Sequence, residues 1–208
     1  MSATAKVTAT ADAEYAVVPA NEAAWEDLQA VLGIRGPASR CQCQRYKLHR
    51  LESFGGFPAE ERAHRLREQT ECGFPDAPST SGLVAYLGEE AVGWCAVEPR
   101  TAYEGLVRNN RVPWTGRDES KADDTVWAVT CVFARAGFRR RGVSRALVAA
   151  AVEFAASRGA RALEGYPMTT TRAIDEELHV GTLSTFLAAG FREVGRPTQR
   201  RAVVRIDF

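Results

Sequence analysis

A strand, a basic turn and an apolar helix follow one another between residues 125 and 157, and this run constrains the fold most. β-Branched and aromatic residues dominate residues 125–133, as is typical of a buried strand. Apolar residues then recur at offsets 0, 3, 4, 7, 8 and 11, which trace one face of an α-helix: Val143, Ala146, Leu147, Ala150, Ala151 and Phe154. The run predicts a strand at 125–133 and a helix at 142–157, ended by Gly159.

The turn between this strand and helix carries an unusual concentration of positive charge. Arg139, Arg140, Arg141 and Arg145 crowd the predicted helix start. A helix N-terminus already bears partial positive charge, so cations there repel it. Free backbone N–H groups at such a start bind anions, and phosphate is a frequent guest. The turn therefore predicts a polyanion site, with a solvated basic face as the plainer alternative.

The rest of the chain indicates a mixed α/β (α+β) domain. Strand-like runs occur at 15–19, 82–87, 91–97, 161–166, 191–194 and 202–206, and helical patterns at 22–32, 59–69 and 181–189. Asn21 precedes the first helical pattern in the manner of an N-cap. At 208 residues the chain suits one domain with a full core. We predict a disordered tail at 1–14 and one domain at 15–208, with a mixed central sheet of six to seven strands flanked by helices.

Charge and hydropathy exclude several function classes. The chain has 27 basic and 26 acidic residues, so nothing draws it as a whole toward nucleic acid. No apolar run approaches the roughly 20 residues of a membrane span. The N-terminus is small and polar, without the apolar region of a secretory signal. Five cysteines, an odd count, favour free thiols in a reducing cytoplasm. We therefore predict a cytoplasmic protein with neither a membrane nor a nucleic-acid partner.

Two motifs carry a resemblance to a known family. The basic turn reads Arg139-x-x-Gly142-x-Ser144, and further on the chain reads Phe186-Leu-Ala-Ala-Gly190-Phe191, in which Gly190 lies 48 residues after Gly142. The first is similar to the Gln/Arg-x-x-Gly-x-Gly/Ala signature of the GCN5-related N-acetyltransferase (GNAT) superfamily, with Ser144 in place of the final Gly or Ala. The second resembles the family's aromatic position ahead of its last strands. Residues 127–131, 164–167 and 181–186 look like those of a bacterial subgroup whose substrate is unassigned.

The resemblance implies acetyl-CoA as co-substrate and no metal. Backbone N–H groups of residues 140–145 would hold the diphosphate, helped by arginine side chains. Arg140 and Arg141 could instead reach the 3′-phosphate or solvent. The strand before the turn would bind the pantetheine arm through its main chain and polarise the thioester carbonyl. The cofactor-binding residues expected on this basis are Val132, Phe133, Ala134, Arg139, Arg140, Arg141, Gly142, Val143, Ser144, Arg145 and Phe186.

The resemblance leaves the proton-transfer groups less defined. Glu164, in the strand beside the motif strand, would be the base or a substrate contact, with a rim carboxylate or arginine partner as the alternative. Many relatives use a tyrosine as general acid where this chain has Phe186, so solvent or Ser184 would take that role. His179, where relatives often carry asparagine, would be a cofactor contact or proton relay.

The motif Cys41-x-Cys43, with His49 nearby, raises the possibility of zinc. Structural zinc sites need four ligands, usually in tight pairs, and the second pair is missing. Cysteines separated by one residue also bridge poorly. By position in the family, Cys41, Gln42, Gln44 and Tyr46 would line the acceptor side.

These expectations combine into a predicted activity. The chain would transfer acetyl from acetyl-CoA to the primary amine of a small molecule or peptide, by direct attack without a covalent enzyme intermediate. The alternative is a non-catalytic coenzyme A-binding sensor or interaction module, and a further one is acylation of a macromolecule. Dimers are common in the family, so a homodimer remains open.

Overall fold

A single twisted sheet organises the chain. The computed structural model describes residues 5–8, 14–170, 172 and 175–208. Within these residues the sheet has eight strands in the order β1-β2-β3-β4-β5-β6-β8-β7, and its one parallel pair is β5 with β6. The strands are β1 (Ala5–Thr8), β2 (Glu14–Pro19), β3 (Leu83–Leu87), β4 (Glu90–Pro99), β5 (Val126–Ala134), β6 (Ala162–Gly165), β7 (Arg192–Thr198) and β8 (Arg201–Asp207).

Seven α-helices connect and cover these strands in the described part of the chain. They are α1 (Trp25–Leu32), α2 (Pro37–Cys41), α3 (Ala59–Thr70), α4 (Glu104–Asn109), α5 (Val143–Ser157), α6 (Asp175–Leu178) and α7 (Leu183–Ala188). The predicted fold class, one mixed α/β domain, is confirmed. None of the helices in the described residues has the length and apolar character needed to cross a membrane.

The N-terminal segment differs from the predicted tail. Residues 1–4 and 9–13 of that tail lie outside the described residues. Ala5–Thr8, however, forms a strand that pairs antiparallel with β2. This adds a strand to the six or seven expected. The physical reason is that an edge strand offers a row of unpaired backbone groups, which a neighbouring segment can satisfy whatever its side chains are.

Helix α5 packs closely on one face of the sheet. It contacts β3, β4 and β5 with the apolar face that the sequence predicted. Gly93 in β4 makes this approach possible, because a Cβ there would stand only 2.4 Å from Cγ1 of Val143. On the opposite face, Leu28, Val31 and Leu32 of α1 pack against Trp94 and its neighbours. The first turn of α5 is thereby fixed at the edge of the sheet.

β5 separates from β6 halfway along its length. The two strands pair only from Val126 to Val129, after which β6 ends at Gly165 while β5 continues to Ala134. The register between β4 and β5 also shifts, because Ala96 pairs with Cys131 and Val97 with Val129. Thr130 is the extra residue of this bulge. The backbone edge of the last β5 residues is therefore left without a partner strand.

The predicted N-cap at Asn21 is wrong. Helix α1 begins at Trp25 after Ala24, and Ala20–Glu22 forms a separate 3-10 turn. Asn21 is buried, and its side-chain amide donates to the carbonyl of Pro75 at 3.0 Å. The Asn21 side chain therefore makes a tertiary hydrogen bond to a residue 54 positions away and does not cap the helix.

Candidate active site

A groove runs from the start of α5 along the free edge of β5. It encloses about 1530 Å³, part of which is open to solvent. One wall consists of the end of β5 and the basic turn, namely Val132, Phe133, Ala134, Arg139, Arg140 and Ser144. The other consists of the end of α1 with Arg35 and of the segment from Leu178 to Thr185. From the sequence, no site role was predicted for Arg35, Thr182 or Thr185, because these residues lie in a turn and at the start of α7 and belong to no recognised motif for binding.

The start of α5 is an uncapped cluster of N–H groups. Gly142 takes the N-cap position with φ of +94°, in the left-handed region that glycine tolerates best, and no side chain caps the helix. Arg145 and Ala146 donate their N–H groups to the carbonyl of Gly142 at 2.9 and 3.1 Å. Among the described residues, the N–H groups of residues 140–144 meet no backbone acceptor. This geometry suits an anion.

The basic turn is held in place from the neighbouring strands. The phenol of Tyr15, in β2, donates to the carbonyl of Arg141 at 2.7 Å. The guanidinium of Arg141 lies over the ring of Phe138, 5.3 Å from its centroid. Arg140 has φ of +62°, and this left-handed backbone leaves its side chain on the groove. In this turn Arg141 therefore lies against Phe138, whereas Arg139 and Arg140 line the groove.

A second, smaller cavity adjoins the groove, and we call it the inner pocket. It spans about 580 Å³, part of which is open to solvent, and its walls are mostly apolar. Its lining includes Cys41, Cys43, Tyr46, Thr130, Cys131 and His179. His179 lines both cavities, and its ring lies 6.0 Å from that of Tyr46. The bulge at Thr130 presents two consecutive β5 residues to this pocket.

Family membership follows from a comparison with known proteins. The sequence model of the Acetyltransferase (GNAT) family matches residues 45–174, which is more than half of the chain. The chain belongs to this family. It is a GNAT-type acetyltransferase, and the Arg139-x-x-Gly142-x-Ser144 turn that first indicated the family lies inside the match. Among curated protein sequences, none matches this GNAT chain.

Solved structures show the same fold at low sequence identity. An N-acetyltransferase from Staphylococcus aureus Mu50 shares 11% identity, with a TM-score of 0.52 over 93% of this chain and 98% of that one. A GCN5-related N-acetyltransferase from Kribbella flavida shares 19% identity, with a TM-score of 0.51 over 93% and 98%. A ribosomal-protein-alanine N-acetyltransferase from Brucella melitensis shares 16%, with a TM-score of 0.51 over 92% and 99%. These likenesses establish the GNAT fold alone.

The groove brings together only part of the predicted cofactor set. Val132, Phe133, Ala134, Arg139, Arg140 and Ser144 line it. Val143 is buried in the core under α5, and the exposed Arg145 lies outside the groove. These two placements follow from the helical period, because successive residues of the first turn face different sides: Val143 the core, Ser144 the groove and Arg145 the solvent. Arg141 contributes its carbonyl to Tyr15, as described above.

Phe186 does not stand beside the groove, contrary to the prediction. Its ring is fully buried and packs edge-on against Phe191, with 5.1 Å between centroids. Gly165 and Gly181 lack the Cβ atoms that would otherwise lie 2.3 and 2.9 Å from this ring. The ring fills the space these two glycines leave, so the aromatic position of the second GNAT motif closes the core here.

Glu164 is enclosed by three arginines. The carboxylate accepts hydrogen bonds from Arg100 at 3.0 Å, Arg205 at 2.9 Å and Arg117 at 2.5 Å, and from the phenol of Tyr166 at 3.0 Å. Although burial opposes ionisation, the hydrogen bond and charge of Arg117 and the charge of Arg100 hold the pKa of Glu164 below its usual value. Glu164 lines neither cavity. This is the arginine-partner alternative, and it removes the carboxylate from proton transfer.

Ser184 and the two glutamines also differ from expectation. Ser184 is exposed on α7, outside both cavities, with its hydroxyl 3.2 Å from that of Thr182. Gln42 and Gln44 are buried away from the inner pocket, where their amides pair with those of Gln29 and Gln69. Cys41 and Tyr46 do line the pocket, as predicted. Among the described residues, no three side chains are grouped so as to hold a metal ion.

The β5 edge already has one hydrogen-bond partner. The N–H of Val132, which the resemblance assigned to the thioester, donates to the carbonyl of His179 at 2.7 Å. The turn that contains His179 thus occupies the gap left where β6 ends. Backbone groups of Ala134, two residues along, point toward the same edge.

Proposed function

We propose that this chain transfers an acetyl group from acetyl-CoA to the primary amine of a small molecule or peptide. One observation carries the proposal, namely the continuity between the anion-binding start of α5, the free edge of β5 and the inner pocket. The diphosphate would bind to the N–H groups of residues 140–144, with Arg139 and Arg140 supplying charge. The pantetheine arm would follow β5 toward Val132. The acceptor amine would enter through the inner pocket.

The residues present fit such a donor. Five consecutive N–H groups without a backbone acceptor form the kind of nest that binds phosphate oxygens. The carbonyl of His179 stands where a thioester or pantetheine carbonyl would accept the N–H of Val132. We expect the bound donor to take over this N–H, and the His179 turn to move away from β5. Until then, Ala134 offers the free part of the edge.

When bound, acetyl-CoA supplies a thioester carbonyl carbon that an amine can attack directly. The attacking amine must first lose a proton, because an ammonium has no free electron pair. His179 is the group we propose to receive that proton, directly or through water, since this residue lines both cavities and its ring lies beside that of Tyr46. The thiolate that leaves is only weakly basic, with a thiol pKa of about 8.5, so it can depart and take its proton from solvent without a tyrosine at position 186.

The decisive experiment measures release of free coenzyme A thiol from acetyl-CoA. The panel would contain simple amines, amino acids, aminoglycosides and peptides with free N-termini. We expect thiol release that depends on one class of amine and saturates with acetyl-CoA. Absence of both coenzyme A binding and thiol release would contradict the proposal.

A coenzyme A-binding module without turnover is the second candidate. The exposure of Ser184 and the enclosure of Glu164 favour it, because these two residues, which were expected to move protons, line neither cavity. Calorimetric titration with coenzyme A separates the candidates. Tight binding combined with no thiol release across the whole amine panel would support the module and exclude the acetyltransferase reaction proposed here.

A further inference from the structure

Three thiols line the inner pocket, and the GNAT reaction as proposed uses none of them. Cys41, Cys43 and Cys131 all contribute to its wall, and all are free. Cys43 is half-buried and reachable from the pocket, whereas Cys131 is buried in β5. Two of these thiols are neighbours, because Cys43 packs against the hydrophobic cluster that contains Cys131 and Trp94, and hydrogen bonding by the Cys131 thiol contributes to the pKa of Cys43.

The surroundings of Cys43 favour the thiolate. Besides the bond from Cys131, the indole N–H of Trp94 donates to its sulfur at 3.0 Å. These two hydrogen bonds, with the positive charge of Lys47, lower the pKa of Cys43 against the opposing effect of burial. The same contact, together with burial, raises the pKa of Cys131 well above its usual value. One thiol of the pair is thus prepared as a nucleophile and the other as a proton donor.

The backbone holds Cys43 at this point despite a conformational cost. Gln42 and Cys43 have φ of 47° and 52°, so two consecutive non-glycine residues lie in the left-handed region. Such residues are strained, because in this region Cβ crowds the neighbouring carbonyl oxygen. The buried amide pairs Gln42–Gln29 and Gln44–Gln69 fix the segment on either side of Cys43. The thiol is therefore positioned by its surroundings.

We propose that Cys43 and Cys131 form a peroxide-sensitive thiol pair that closes to a disulfide at the floor of the inner pocket. The thiolate of Cys43 attacks one oxygen of a hydroperoxide, giving the sulfenic acid and, for hydrogen peroxide, hydroxide. The sulfur of Cys131 then attacks the sulfenic sulfur. The S–S bond forms, and the sulfenic oxygen leaves as water with the Cys131 proton. Two thiols are oxidised by two electrons in total, and one peroxide is reduced.

The disulfide would change the pocket that the acceptor uses. It requires the two sulfurs to move from hydrogen-bond contact to about 2.05 Å, which draws the 41–46 segment onto β5. The disulfide would also lie beside Val132, which follows Cys131 in β5. The resulting loss of turnover rests on the proposed acetyltransferase function, whereas formation of the disulfide does not. A reductant would restore the open pocket, since exchange with a thiol reverses the bond.

The test treats the folded chain with hydrogen peroxide, blocks remaining thiols and analyses unreduced peptides by mass spectrometry. We expect one linked pair of peptides, containing Cys43 and Cys131 and lighter by two hydrogen atoms than the reduced pair. Cys131→Ser should leave Cys43 as a sulfenic acid that dimedone traps. Cys43→Ser should leave Cys131 reduced. Cys72→Ser is the matched control, because this buried thiol lies outside the pocket, and it should form the link unchanged.

Each other outcome has a defined meaning. A link that involves Cys41 in place of either partner, or no oxidation of Cys43 in both the unaltered chain and Cys131→Ser, would overturn the thiol pair. A correct link that leaves acetyl transfer unchanged would overturn its control of the pocket. Absence of turnover in the fully reduced chain would instead contradict the proposed function, and the link would still be expected.

Discussion

His179 contributes to the GNAT site through two separate groups. Its imidazole lies 6.0 Å from the ring of Tyr46, which lines the inner pocket, whereas its backbone carbonyl accepts the N–H of Val132. A substitution changes the first group and keeps the second. The side chain can therefore be tested for proton transfer without removing the contact that closes the β5 edge.

We predict that His179→Gln lowers kcat/KM for acetyl transfer by about 100-fold, the lower end of what a positioned general base contributes. The acidic limb of the pH–rate profile should flatten, because glutamine does not titrate. Coenzyme A affinity should change by less than about tenfold, since the phosphate contacts lie at α5. Thiol-release rates across pH and calorimetric titration give these values. His64→Gln, at an exposed position on α3, is the control. A mutant profile that keeps its acidic limb would show that another group takes the proton.

The start of α5 shows how a helix separates similar arginines into different roles. Arg140 precedes the helix in a left-handed backbone conformation and lines the groove. Arg145 lies in the first turn, exposed and outside the groove. Both were expected to bind the cofactor because the sequence places them in one basic run. The conformation of the turn, which the sequence alone does not specify, distinguishes them.

We therefore predict that Arg140→Gln weakens coenzyme A binding by about tenfold, as expected when one charge-assisted hydrogen bond to phosphate is lost. Arg145→Gln removes the same charge from the same turn and should weaken binding by less than about threefold. Titration at low and moderate salt measures both, and the Arg140 effect should shrink as salt rises. Equal losses in the two variants would mean that the turn acts through its overall charge.

The elements of this fold differ in how far the sequence predicted them. Helix α5, predicted at 142–157 and observed at Val143–Ser157, has a strong apolar period and a glycine at its start, so local information sufficed. The basic turn before α5 could be predicted from the sequence for the same reason. Asn21 and Glu164 were misassigned because their partners are distant in sequence, 54 residues away for Asn21 and 64 for the Glu164–Arg100 pair. No local pattern encodes which arginines converge on a buried carboxylate.

At the scale of the whole molecule, Glu164 joins segments that are far apart in the chain. Arg100 follows β4, Arg117 comes from the connection after α4, and Arg205 belongs to β8. All three guanidinium groups meet one carboxylate with no solvent exposure. Removing one partner from a buried ion cluster leaves the others uncompensated, which costs more than the pair itself contributes. This cluster links the end of β4 and the connection after α4 to β6 and β8.

We predict that Glu164→Gln lowers the free energy of unfolding by about 3 to 5 kcal/mol at pH 7. The sign with pH follows from the lowered pKa of this carboxyl in the folded state. The folded state binds fewer protons than the unfolded state, so the ionised group stabilises the fold fully above the ordinary value of 4.5. That contribution is lost as pH falls through the folded pKa, and the difference between the unaltered chain and Glu164→Gln should shrink accordingly.

Urea unfolding, followed by tryptophan fluorescence from pH 7 down to pH about 3, measures this difference within the range where carboxyl groups titrate. Glu153→Gln is the matched control, because Glu153 is exposed on α5 and its loss should cost less than about 0.5 kcal/mol. A destabilisation of the same size at every pH would show that the glutamine acts through shape and not through lost charge. Glu164→Gln could also keep its stability and bind coenzyme A but release no thiol. That result would show that Glu164 takes part in the reaction. Because the cluster is buried, we expect the opposite result, in which the Glu164→Gln variant still transfers acetyl under conditions where it is folded.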